Sequence, residues 1–266
     1  MPLDDKFTVT AKYAILGSRR RSGRPIPRVR FLVAHDTGNA GASADAHARN
    51  YRNNPNPPPG QVSSAHLFVD DEAIVETVPA LTAAPEQAFH VRDSRPLDNQ
   101  LYGVDANVGA IGVEYCFGGS IDAAAAYERY VWVLAALCDE FGLDPSRDIV
   151  SHQLLDPDRR TDPDDGLGRS GRSYARLLVD VPRVFRDSGG TAGQIGAGRI
   201  VPGAYKTSVS LILRSTPARS GDRLDVLPPG TDVTVTTIVE GEAVNGNPDW
   251  CELPGGFVWS GGLRAP

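Results

Sequence analysis

Four short segments of this 266-residue chain carry residue types that could do chemistry: Val33-Ala34-His35-Asp36-Thr37-Gly38-Asn39, Ala65-His66-Leu67-Phe68, Ile111-Gly112-Val113-Glu114, and Ser151-His152 through Arg160-Thr161-Asp162-Pro163. His35, Glu114 and His152 each fall within or at the end of an apolar run of strand character. An ionisable group there is costly unless it is paired or metal-bound. Two neutral imidazoles with one carboxylate make a catalytic zinc set, because a fourth position stays open for water. A lone strand-end histidine is most often a hydrogen-bonded structural residue. Two of them, with an interior Glu and the loop residue Asp162 beyond the second, leave both readings open on spacing alone. The three cysteines, at 116, 138 and 251, are far apart and form no CxxC pair, so a metal here is held by His and carboxylate rather than by thiolates.

Those residues need elements to hold them. Val29, Phe31 and Val33 alternate with Arg28, Arg30 and Leu32, which predicts a strand running into His35. The stretch 43–54 reads as a short helix capped by Ser43. The runs 66–69 and 73–78 flank Asp70-Asp71-Glu72 as a hairpin. The run 108–117 is apolar around Glu114. The strongest helix is 122–141, capped by Asp122, with Tyr130, Val131, Leu134, Leu137, Cys138 and Phe141 as its apolar stripe and Gly142 as its stop. Ile149–Val150 leads to His152, and 174–185 is a last helix, weakened by Pro182. Strands alternating with helices predict an α/β layer architecture, whose ligand crevice lies at the carboxyl ends of the strands.

Length suggests two domains. A net charge of −6 argues against nucleic acid as a partner, and no apolar run is long enough for membrane insertion. The N-terminus lacks the apolar centre of a secretory signal, so the expectation is synthesis in a cytoplasm without a signal peptide. At 187–199 five of thirteen residues are Gly, which reads as a linker. Beyond it, short strand candidates at 208–214, 225–227, 232–239, 250–253 and 256–260, punctuated by Pro-Gly and Asn-Gly turns, predict a small β-barrel. From 204 onward five Lys and Arg face seven Asp and Glu, a net of −2 that disfavours bulk attraction to an anionic polymer.

The segments VAHDTGN, SSAHLFVDDEAIVETVP, AFH at 88–90, GAIGVEY and SHQLLDPDRRTDP stand in the order seen in a known family. The chain resembles the zinc-dependent N-acetylmuramoyl-L-alanine amidases of the type 2 amidase and peptidoglycan-recognition superfamily. The resemblance implies a mixed central β-sheet flanked by helices and one zinc ion on His35, His152 and Asp162. It makes Glu114 the general base and puts Arg160, where many relatives have Lys, at the oxyanion. It places His90 beside the substrate groove; Thr37 and Asn39 are further groove candidates, and His66 either lines the groove or is a hydrogen-bonded structural histidine. His90 follows Phe89 and precedes Val91-Arg92, where relatives show Trp-His-Ala-Gly. The implied substrate is peptidoglycan, cut between N-acetylmuramic acid and L-alanine.

The tail, with LILRSTPA, LPPGTDVTV and DWCELPGGFVWSGGL, resembles bacterial SH3-like wall-binding modules. Tyr205, Trp250 and Trp259 are its candidate wall contacts. The expected organisation is a catalytic domain at 1–186, a linker at 187–203 and an SH3-like domain at 204–266, in a monomeric bacteriophage endolysin acting at the bacterial wall after release. A bacterial autolysin, a cytosolic muropeptide-recycling amidase and a non-catalytic peptidoglycan receptor are the alternatives. Of the remaining residues, His47 reads as a surface histidine and Cys138 as core. Cys116 shares a strand face with Glu114 and reads as a buried thiol. Arg19, Arg20, Arg21, Arg24, Arg28 and Arg30 form either a solvated loop or a patch attracted to an anionic wall.

Overall fold

The computed structural model describes residues 6–93, 97–188, 202–244 and 247–264. The chain divides into two compact units, Met1–Ala192 and Gly193–Pro266. The Gly-rich stretch expected as a linker lies almost wholly outside the described residues. Among those residues no helix is long and apolar enough to cross a membrane.

The first unit runs β1 (Val9–Ala11), β2 (Phe31–Asp36), α1 (Ala44–Asn53), β3 (Leu67–Val69), β4 (Ile74–Glu76), α2 (Leu97–Tyr102), α3 (Ala106–Gly109), β5 (Ala110–Tyr115), α4 (Ala123–Phe141), β6 (Ile149–Ser151), α5 (His152–Leu155), α6 (Asp164–Arg169) and α7 (Tyr174–Asp187). Its sheet has the order β1-β4-β3-β5-β2-β6. β3, β5, β2 and β6 are parallel, and the β3–β4 hairpin reverses the direction, so the sheet is mixed as expected.

Both faces are covered. Leu32, Ala34, Ile111, Val113 and Tyr115 pack against α4 and α7 through Tyr130, Leu134, Leu137, Val181 and Phe185. On the opposite face Phe31, Val33, Ala110 and Val150 pack with Val91 and Leu155, and Tyr102 stacks on Phe31 with ring centroids 3.9 Å apart. A continuous apolar character in β2 and β5 follows from this double burial.

α4 begins and ends where its caps dictate. Asp122 accepts the amides of Ala124 and Ala125 at 2.9 and 2.8 Å, and Gly142 closes the helix at φ 63°, a left-handed conformation that only glycine adopts without cost. α7 runs straight through Pro182. Leu177, Val181 and Phe185 bury one face of it against α4, and that packing outweighs the lost hydrogen bond.

Two expectations are corrected. His47 is half-buried, its ring stacked on Phe68 at 4.7 Å with the planes 1° apart, because α1 lies directly on β3 and β4. Of the arginine cluster, Arg20 is buried over the Tyr51 ring with its Nε donating to the Asn54 carbonyl, and Arg21 pairs through two bonds with Glu86. These two guanidinium groups hold loops together rather than facing solvent.

The second unit contains β7 (Gly203–Thr207), β8 (Leu211–Arg214), β9 (Arg223–Leu227), β10 (Asp232–Val235), β11 (Thr237–Val244), β12 (Asn247–Leu253), β13 (Gly256–Trp259) and β14 (Leu263–Arg264). They form a three-stranded sheet, β10-β7-β14, and a five-stranded sheet, β11-β12-β13-β8-β9, around Leu211, Val235, Cys251, Leu253, Val258 and Leu263. The run 232–239, expected as one strand, is split between β10 and β11, which belong to different sheets.

Asp122→Ala removes the acceptor for two α4 amides and is expected to cost about 1 kcal/mol, a fall of roughly 2–4 °C in Tm for a unit of this size. Asp122→Asn is expected to remain close to wild type in the same thermal unfolding experiment.

Candidate metal centre

The parallel register of β5, β2 and β6 builds the site. His35 pairs with Glu114, and Ala34 pairs with Ser151, the residue before His152. Glu114, His35 and His152 therefore stand side by side at the carboxyl edge of three neighbouring strands. Asp162 reaches them from the loop after α5, which is tied down by the Gln153 amide donating to the Asp162 carbonyl at 2.9 Å.

The three candidate ligands converge. His35 Nδ1 lies 3.0 Å from His152 Nδ1 and 3.0 Å from Asp162 Oδ2, and His152 Nδ1 lies 2.9 Å from the same oxygen. All three residues are buried. Tetrahedral ligands about 2.0–2.1 Å from a zinc ion stand about 3.3 Å apart, so only slight spreading is needed to admit one. Burial pulls the His35 imidazole down to about 4, which favours the neutral form that a metal ligand requires. Burial opposes ionisation of Asp162, yet its bonds to His152 and His35 hold it below the usual carboxylate range. The donor set, two imidazole nitrogens and one carboxylate oxygen, fits zinc.

Glu114 is held differently. Its Oε2 is shut off from solvent and has no hydrogen-bond partner. Burial, with the nearby charges of Asp162 and Asp36, pushes its carboxyl well above its ordinary value, while Arg160 pulls the other way. Arg160 is exposed, its amide bonded to the Asp156 carbonyl. Thr37 is half-buried and Asn39 exposed, in the turn that follows β2.

Residues 24–165, more than half of the chain, match the family profile described as N-acetylmuramoyl-L-alanine amidase. The chain belongs to this amidase family. Over 154 residues it is 36% identical to the N-acetylmuramoyl-L-alanine amidase BlyA of Bacillus subtilis (strain 168), in an alignment taking in 54% of the chain and 39% of BlyA. It thus spans well under two thirds of that relative. The crystal structure of Staphylococcus aureus hydrolase AmiA in complex with its ligand superposes with a TM-score of 0.53 at 19% identity, over 70% of this chain and 87% of that one. The solution structure of the PlyG catalytic domain gives 0.51 at 19% identity, over 67% and 96%. These two likenesses establish a shared fold.

Within the amidase-family unit, two histidines expected along the groove are engaged elsewhere. His66 is fully buried, its Nε2 donating to the Glu86 carbonyl and its Nδ1 accepting the Gly112 amide, so no atom is left for a substrate. His90 is buried against His35. In the second unit Trp250 is a core residue with its Nε1 donating to the Glu242 carbonyl, whereas Tyr205 and Trp259 are half-buried.

Sequence reasoning passed over two residues that frame the centre. The Tyr130 hydroxyl donates to the His35 carbonyl at 3.0 Å and lies 3.3 Å from that of Val113, pinning α4 to the strand ends. A buried tyrosine on an apolar stripe needs such a partner, which is the clue its position offered. Asp36 accepts the amides of Gly38 and Gly166, and through Gly166 it anchors α6 just beyond Asp162. Gly166 must be glycine there, since a Cβ would stand 2.7 Å from Asp36 Cβ.

Because burial raises the Glu114 carboxyl above its ordinary value of 4.5, its ionised form costs the fold stability at neutral pH and the cost vanishes once it is protonated in both states. Glu114→Gln is therefore expected to raise the Tm of the metal-free chain at pH 7, with the gain disappearing below about pH 4. Calorimetric scans across that range check it.

Proposed function

We propose that the chain is a zinc-dependent N-acetylmuramoyl-L-alanine amidase, cutting the amide between the lactyl group of N-acetylmuramic acid and the L-alanine of the stem peptide. The observation that carries this reading is the meeting of His35 Nδ1, His152 Nδ1 and Asp162 Oδ2 within 3.0 Å of one another, beside a proton-avid Glu114. His35, His152 and Asp162 would hold the ion. Zinc bound there would supply Lewis acidity for the attacking water and the scissile carbonyl.

The remaining chemistry belongs to the chain. Glu114, raised in proton affinity and with Oε2 unpartnered, suits a group that takes a proton from the attacking water and delivers it to the leaving amine. Such general-base assistance contributes about 10²–10⁴-fold. Arg160 brings a positive charge within range of His35 and Glu114, where it would help to stabilise the developing oxyanion. A receptor would need none of this machinery, and the complete donor trio favours an enzyme.

The second unit supports a lytic enzyme of the bacteriophage endolysin kind, acting at the bacterial wall. Its two small sheets fit an SH3-like barrel, and its resemblance to wall-binding modules assigns it the role of tether, with Tyr205 and Trp259 as its contacts. Tethering raises the local concentration of the catalytic unit at its polymeric substrate.

Asp162→Ala is expected to lose both bound zinc, measured by elemental analysis, and wall solubilisation. Glu114→Gln is expected to keep its zinc and lose at least 100-fold in solubilisation rate. Full activity in both variants would refute the site. Deletion of residues 193–266 is expected to reduce the fraction of protein that pellets with cell walls while leaving cleavage of soluble muropeptides intact.

A further inference from the structure

His90 has a different place from the groove position its resemblance implied. We propose that His90 is a positioning residue for the metal centre: it accepts the Nε2–H of His35 and so fixes the tautomer and ring angle in which His35 Nδ1 faces His152 and Asp162. The inference rests on the metal reading of the site.

The geometry is specific. His35 Nε2 and His90 Nδ1 are 3.0 Å apart, with the two rings at 85° to each other. A neutral imidazole carries one donor and one acceptor nitrogen. If Nδ1 of His35 is the ligand, its proton resides on Nε2, and His90 Nδ1 must be the acceptor. His90 is 8% exposed; its Nδ1 is engaged by His35, and its buried Nε2 has no hydrogen-bond partner.

The ring is itself cradled. Gly112 lies beneath it, and a Cβ at that position would come within 2.7 Å of the His90 Cγ and Nδ1. Asn107 Oδ1 accepts the backbone amides of both His90 and Val91 at 2.8 and 3.0 Å, and Asn107 Nδ2 donates to the Val91 carbonyl at 2.7 Å. His66 packs edge-on at 5.6 Å and is locked by its own two backbone bonds. Metal-bound histidines ordinarily donate to a carboxylate, a carbonyl or a water, and loss of that partner typically weakens metal binding about 10–100-fold. Here the partner is an imidazole, which adds no charge to the site.

The test is zinc affinity of the full chain, measured by competition with a chromophoric chelator, alongside thermal unfolding of the metal-free forms. His90→Phe keeps a ring and loses the acceptor; it is expected to bind zinc about 10–100-fold more weakly. His90→Asn, whose amide oxygen can stand where Nδ1 does, is expected to restore binding to within a few-fold of wild type. Gly112→Ala, which displaces the ring without altering its chemistry, is expected to lose affinity as His90→Phe does, and it carries the test if the latter does not fold. A His90→Phe or Gly112→Ala chain that binds zinc as tightly as wild type overturns the inference, as does a folded His90→Asn chain as weak as His90→Phe. Failure of the wild type to take up zinc, or uptake undiminished in Asp162→Ala, overturns the metal reading and this inference with it.

Discussion

Two imidazole nitrogens and a carboxylate oxygen, drawn from strand β2, the first residue of α5 and the loop beyond it, are held within 3.0 Å of one another in a buried corner of the sheet. Lone pairs so close repel unless a proton or a cation lies between them, and burial makes that repulsion stronger than it would be in water. Much of the first unit serves this approach. Parallel pairing puts His35 level with Glu114 and the start of α5 beside them. The Tyr130 hydroxyl fastens the longest helix to the His35 carbonyl, and Asp36 fastens α6 just beyond Asp162.

The same crowding sets the charges. Desolvation keeps His35, His66 and His90 neutral, so imidazole nitrogens are available as ligands and acceptors. It also loads Glu114 with an affinity for protons that a surface carboxylate lacks. One physical cause thus leaves uncharged imidazole nitrogens at the candidate metal centre and a proton-avid carboxyl beside them. The arrangement is a place where the fold gives up stability for chemistry, as sites commonly do.

The sequence shows this plan unevenly. β2, β3, β4 and β5 were legible because doubly buried strands read as apolar runs bounded by turn residues, and α4 because Asp122 and Gly142 mark its ends. The edge strand β1 and the tail strands β7 and β14 escaped notice: they are only three, five and two residues long. His35, Glu114, His152 and Asp162 stood out by type and position, yet spacing alone could not distinguish ligands from hydrogen-bonded structural residues. Pairing across 117 and 127 positions of sequence is a property of the register, not of local pattern. His66 and Trp250 show the converse. Residue type suggested contact with a ligand, but backbone groups claim both His66 nitrogens and the Trp250 indole N–H. Partners of this kind are invisible until the chain is folded.

The central claim is that this buried trio and its neighbouring carboxyl hydrolyse one particular amide. The most direct measurement is chemical analysis of purified peptidoglycan after digestion by the zinc-loaded chain. The account predicts new L-alanine amino termini in step with solubilisation and no new reducing sugar ends. Reducing ends without free L-alanine, or amino termini of another stem residue, would contradict it.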